Sequence, residues 1–193
     1  AVDLPHQVGH VDSEQVDRAT FLARTIHMRV LDKLRHEPVE DLRIDFEDGY
    51  GARPGPEEDG HAASAALEVA KGMREHTLPP FIGIRIKPLS EELRERSLRT
   101  LDIFLTTLVE ATRGELPANF VVTLPKITVP EQVSALANVF DALEPKLGLA
   151  AGSLKMEFMI ETTQTILSPD GEILLPLLLK LSRGRCVAAH FGT

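Results

Sequence analysis

"LRIDFEDGYG" (residues 42–51) decides how the chain is read. Leu42, Ile44 and Phe46 alternate with polar residues, the period-2 pattern of a strand with one face in a core. Asp45, Glu47 and Asp48 then arrive together, just before Gly49 and Gly51 break the chain. Carboxylates crowded at a strand end repel one another, so solvent, arginines or a cation must offset them.

Helix and strand patterns alternate on both sides of this stretch. Residues 13–36 carry Val16, Ala19, Leu22, Ile26, Val30 and Leu34 on one face, which predicts a helix with Ser13 as its cap. The glycines and prolines of "GARPGPEEDG" (51–60) predict a loop, either a flap over a site or a solvated connection, followed by an Ala-rich helix over 61–76. "FIGIRIKPL" (81–89) is the second strand, with an amphipathic helix over about 90–112. "NFVVTLPK" (119–126) is the third, with a helix over 130–148 that has Pro130 near its first turn. "LKMEFMIET" (154–162) and "RCVAAHFGT" (185–193) are the fourth and fifth, separated by a helical stretch over 172–182.

Alternation of this kind builds a parallel sheet, either doubly wound or closed as a (β/α)8 barrel. No G-x-G-x-x-G follows any strand, so a dinucleotide fold has no support. Every apolar run ends in a polar or charged group: Asp45/Glu47/Asp48, Arg85/Lys87, Lys126, Glu161 and His190. In a parallel barrel those ends share one mouth, where barrel enzymes place their chemistry. The expected fold is therefore α/β, a TIM-type barrel represented by about five βα units. A complete barrel takes about 200–250 residues. The 193 residues are thus expected to form a single barrel domain over 1–193, truncated at both ends.

Bulk composition narrows the function classes. The chain is 43% hydrophobic with a net charge of −8, which argues against a nucleic-acid surface. The longest apolar run, "ILLPLLLKL" (173–181), is interrupted by Pro176 and Lys180 and reads as a helix on a core rather than a membrane span. One cysteine excludes an intramolecular disulfide and fits a reducing, cytoplasmic setting, with Cys186 expected as a buried structural thiol. His6 and His10 stand four apart, but Pro5 and Gly9 speak against the helix that would aim both at one metal. "GPEEDG" lacks the alternating oxygens of an EF-hand.

Five segments in order, "DFED" (45–48), "IRIKPL" (84–89), "LPKI" (124–127), "IET" (160–162) and "HFGT" (190–193), resemble the HpcH/HpaI aldolase and citrate lyase β-subunit family of pyruvate-kinase-like barrels. That resemblance implies carbon–carbon bond cleavage or formation through an enolate, with Mg²⁺ or Mn²⁺. It implies Glu161 as a metal ligand, with a second ligand, an Asp, just beyond Thr193. It gives Arg85 the carboxylate and developing enolate oxygen of a small carboxylate substrate. It implies that Asp45, Glu47 and Asp48 form the acidic strand end at the pocket wall. CoA, as part of a thioester substrate, and assembly into a homo-oligomer are further implications.

The residues themselves leave alternatives open. Lys126 either contacts an acidic substrate or pairs with the acidic strand end, and His190 is either a satisfied core histidine or a residue of the mouth. Arg85 could be held by Asp45 or Glu47 with no ligand, and Glu161 could cap a helix or pair with an arginine. A non-catalytic barrel relative serving as a binding or scaffold protein, and a phosphoryl-transfer enzyme of the same superfamily, are the alternatives to the lyase. Physically, breaking a C–C bond beside a carbonyl demands that an oxyanion be stabilised, for which a hard cation on carboxylates and a guanidinium fork are suited.

Overall fold

A computed structural model describes residues 13–192, with side chains from residue 17 onward. His6, His10 and Thr193 lie outside the described residues, as does the side chain of Ser13. The chain divides into two compact units, residues 1–40 and 41–193.

The first unit holds helix α1, Ser13–His36, over the span that periodicity predicts. Leu22, Ile26, Val30 and Leu34, the apolar face that defines the helix in the sequence, are all at least half exposed. Periodicity reports that a helix has an apolar face; it does not report what covers that face. Lys33 pairs with Glu37 and with Glu40 at 2.8 Å, tying the helix end to the residues that follow.

The second unit is built on five parallel strands: β1 (Asp41–Asp45), β2 (Phe81–Arg85), β3 (Phe120–Leu124), β4 (Lys155–Ile160) and β5 (Cys186–Phe191). Their spatial order follows the sequence without reversal. A doubly wound sheet would show a switch point. Helices α2 (Gly55–Glu75), α3 (Arg94–Thr112), α4 (Glu131–Lys146), α5 (Thr163–Ile166) and α6 (Leu175–Leu181) fill the connections. The fold is α/β, a partial TIM-barrel-like βα arrangement with five of the eight strands of a closed barrel.

Strand alternation sorts the two faces. Ile82, Ile84 and Ile86, Phe120, Val122 and Leu124, and Met156, Phe158 and Ile160 are buried in one core with α2, α3 and α4. Phe104 of α3 stacks on Phe120, ring centroids 6.0 Å apart and nearly parallel. The residues between them in sequence, Arg43, Asp45, Arg85, Thr123, Glu157, Met159 and Glu161, occupy the opposite face, which a barrel turns inward.

Two local expectations are corrected. The predicted loop at 51–60 ends at Pro54, and α2 begins at Gly55 with a proline in its first positions and Glu57 and Glu58 in its first turn. Proline is compatible with a helix start and acids favour its positive end, so the residues read as loop-formers are helix-starters. Glu58 is completely buried, so this segment is no flap. The second correction is Cys186, which is half-buried rather than buried. Its Sγ is 3.4 Å from the Ala188 carbonyl, and partial burial pushes the thiol above its usual range.

No helix among the described residues is long and apolar enough to cross a membrane.

Candidate active site

Because the strands are parallel, their C-terminal ends lie along one edge. Four successive ends place Asp45 and the turn after it, Arg85, Lys126 and Glu161 there. The side chains meet. Arg85 donates to both oxygens of Asp45, Nε to Oδ1 at 2.7 Å and Nη2 to Oδ2 at 2.5 Å. Its remaining nitrogen, Nη1, lies 3.6 Å from Glu47 Oε2 and 3.5 Å from Met159 Sδ. Lys126 Nζ donates to Glu47 and, at 2.6 Å, to Asp48. The Lys126 backbone N–H donates to Glu161 Oε1 at 2.7 Å.

Backbone geometry sets these positions. The Asp45 carboxylate accepts the N–H groups of Glu47 and Gly49, at 2.9 and 2.8 Å, curling the acidic turn around itself. A Cβ at Gly49 would stand 2.6 Å from Asp45 Oδ2, so a larger residue there would push the Asp45 carboxylate out of its place. Lys126 leaves β3 at φ 46°, a left-handed conformation uncommon outside glycine. Gly192 runs close to the fourth strand end, where a Cβ would lie 3.1 Å from that of Glu161.

Ionisation follows the contacts. Partial burial pushes the Asp45 carboxyl up, but the Arg85 hydrogen bonds and the two backbone N–H groups more than offset it and hold it below the usual range. Lys126 holds Asp48 down in the same way. Arg85 is pushed up, chiefly by Asp45. Burial opposes the charge on Lys126, yet Asp48 and Glu47 raise it overall. All four groups stay charged near neutral pH. Counting Asp45, Glu47, Asp48 and Glu161 against Arg85 and Lys126 leaves a formal charge of −2 at the rim.

These contacts place each residue for which the sequence left alternatives open. Lys126 pairs with the acidic strand end. Arg85 is clasped by Asp45, and its Nη1 has only the longer contacts to Met159 and Glu47. Among the described residues Glu161 neither caps a helix nor pairs with an arginine; it is held by the Lys126 backbone. Lys87 does not join the rim but is buried against Glu58. His190 lies deeper on the inward face, half-exposed, with Nδ1 3.7 Å from Glu157 Oε1.

Glu157 and Arg43 were not singled out by sequence reading. Arg43 donates to both oxygens of Glu157, at 2.7 and 2.8 Å, and Thr123 donates to Oε1. Burial disfavours the Glu157 charge, but these donors hold its carboxyl below the usual range. The signal was present: counting back by twos from Asp45 reaches Arg43, and by fours from Glu161 reaches Glu157.

Among the described residues, no three His, Cys, Asp or Glu side chains gather closely enough to hold a metal on protein ligands alone. Mg²⁺ is commonly bound through one or two carboxylates, with water and substrate oxygens completing its shell. The second oxygen of Glu161 takes no hydrogen bond from the described residues, and the rim carries excess negative charge, so these residues fit such a sparse site. The ligand expected just beyond Thr193 falls outside the described residues.

Fold and rim together define a parallel βα-barrel-type protein with a carboxylate-rich, cation-bridged site at its strand ends. The chain belongs to the family described as a domain of unknown function, DUF6986, which it matches over residues 3–193. No curated protein sequence matches it. Among solved structures it is similar to a malate synthase from Haloferax volcanii, determined as a lead(II) complex, with a TM-score of 0.50 and 18% identity. The alignment covers 77% of this chain and 52% of the malate synthase chain, so it spans about half of that protein's length.

Proposed function

We propose that the rim is the active site of a divalent-metal-dependent enzyme that makes or breaks a carbon–carbon bond beside a carbonyl. The substrate is a small oxo- or hydroxy-acid, or its CoA thioester. The observation that carries this reading is the convergence of Asp45, Glu47, Asp48, Arg85, Lys126 and Glu161 from four successive strand ends with a residual charge of −2. A purely structural ion network would be expected to balance, because uncompensated like charges repel. A divalent cation closes this deficit.

Glu161, with Glu47 or Asp48, would hold the metal, which when bound supplies Lewis-acid polarisation of the substrate carbonyl. Arg85, with one edge fixed by Asp45, presents Nη1 to a substrate oxygen as a pre-oriented donor. Lys126 neutralises Glu47 and Asp48 while its backbone aims Glu161. His190, on the inward face below, is a substrate-facing group. The likeness to a malate synthase solved with lead(II) supports a metal-handling barrel, and the ordered strand-end segments support kinship with HpcH/HpaI aldolases and citrate lyase β-subunits.

Metal-dependent enolisation tests this directly. Pyruvate and acetyl-CoA are incubated with the protein and Mg²⁺ in D₂O, and label incorporation is followed by NMR. Incorporation that requires metal and disappears in Arg85→Ala and Glu161→Ala is expected. Wild-type incorporation in both variants would refute the site.

One observation favours a second reading. Arg85 is already clasped by two hydrogen bonds to Asp45, as in a barrel relative that keeps the residues for structure. Such a binding or scaffold protein would catalyse no label incorporation into either substrate.

A further inference from the structure

We propose that Lys87 and Glu58 are positioning residues that set the geometry of the acidic turn 45–48, an inference that rests on the rim being the functional site. Phe46 lies between Asp45 and Glu47, whose side chains go to different cations, Arg85 and Lys126. Its N–H makes a last sheet bond to the Arg85 carbonyl at 2.9 Å. Beyond that point the chain leaves the sheet, and the Phe46 carbonyl has no neighbouring strand to pair with. The Lys87 ammonium takes it, donating at 2.6 Å.

Lys87 is anchored for this task. Its Nζ also donates to Glu58 Oε2 at 2.8 Å and lies 4.9 Å from the centre of the Tyr50 ring. Ser97 Oγ donates to the Lys87 carbonyl at 2.7 Å. Glu58 is completely buried, and its other oxygen accepts the Thr100 hydroxyl at 2.6 Å, with Arg96 Nε at 3.6 Å. A buried ion pair of this kind is often no more stabilising than an apolar pair of the same volume. What it supplies instead is a fixed, charge-assisted donor at one backbone oxygen. Glu58 neutralises the ammonium, so the rim keeps its negative excess. The first turn of α2 thereby fixes where Asp45 and Glu47 point.

Hydrogen exchange of the full chain, resolved by residue, tests this without any ligand. In Lys87→Met the amides of Glu47, Gly49 and Gly51, all bonded within the turn, are expected to exchange on the order of tenfold faster, while those of Phe120–Leu124 stay unchanged. Lys87→Arg, which keeps a charged donor, should restore part of the protection. Unchanged exchange at 46–51 in Lys87→Met, or acceleration spread equally into β3, overturns the proposal. Should that variant not fold, Glu58→Gln decides it: the same turn loosens with a smaller amplitude, and no local change refutes the role.

Calorimetry of these proteins with Mg²⁺ and oxalate separates the two claims. A wild-type protein that binds neither contradicts the proposed function and leaves the exchange result standing. Binding that Lys87→Met retains at full affinity contradicts the positioning role.

Discussion

Two clusters of arginine and carboxylate side chains pin the sheet at opposite ends of its strands, and they differ in balance. At the strand starts, Arg185 donates to both oxygens of Glu144, at 2.6 and 2.8 Å, and also to Asp141 and the Leu154 carbonyl. Arg183 pairs with Asp141 at 2.7 Å. Two arginines face two carboxylates, and the N–H groups of Gly152 and Leu154 fill the remaining acceptors of Glu144. At the strand ends, two cations face four carboxylates. The first cluster is closed and explains itself as a staple of α4 to β5; the second is left with charge to neutralise. Charge density alone therefore does not distinguish the two clusters; the imbalance at the strand ends is what the proposed metal site rests on.

The largest expected effect lies in the balanced cluster. Arg185→Ala leaves Glu144, 2% exposed, without its partner. Urea unfolding should register a loss of about 3–5 kcal/mol. A loss below about 1 kcal/mol would mean that the staple carries little and that the contrast drawn here is misplaced. Arg85→Ala should cost less, about 1–3 kcal/mol by the same measurement, because the Arg85–Asp45 pair is partly exposed. It should nevertheless abolish oxalate binding, an inversion of stability and function that separates the clusters.

Acid titration sharpens the comparison. Arg185, opposed by burial and helped by two backbone N–H groups, holds the Glu144 carboxyl at about 2 against an ordinary 4.5. Its folded-state value is depressed, so the stabilisation is complete above pH 4.5 and drains away as pH falls toward about 2. Glu144→Gln should flatten this part of the stability–pH curve; a slope equal to wild type would assign the acid sensitivity to other carboxylates. The smallest effect is expected at Asp48, whose side chain is 63% exposed. Asp48→Asn should change stability by no more than about 0.5 kcal/mol. Mg²⁺ affinity should weaken several-fold, and a change confined to stability would remove Asp48 from the site.

Most of the architecture was legible because it rests on local periodicity. Five period-2 runs ending in polar groups gave the strands, and the spacing between them gave the helices. The convergence of Asp45, Arg85, Lys126 and Glu161 was legible for the same reason, since parallel strands bring their ends to one edge. What was not legible depends on partners distant in sequence. Lys87 reads as one more strand-end group of the mouth and Glu58 as part of a loop, whereas the fold buries the two against each other. Arg43 and Glu157, 114 residues apart, pair across the inward face. Gly55, Pro56 and the acids after them carry the composition of a loop, and only their order marks a helix start. Lys126 reaches the rim through a left-handed backbone turn that its neighbours Pro125 and Ile127 do not announce.

The most direct test of the central claim is whether Mg²⁺ and oxalate bind to the wild-type protein in a mutually dependent way. Calorimetry is predicted to give oxalate binding only in the presence of Mg²⁺, with that heat lost in Glu161→Gln while the thermal unfolding midpoint stays within a few degrees of wild type. Oxalate binding without the metal, or equal binding in Glu161→Gln, would contradict a metal-centred rim.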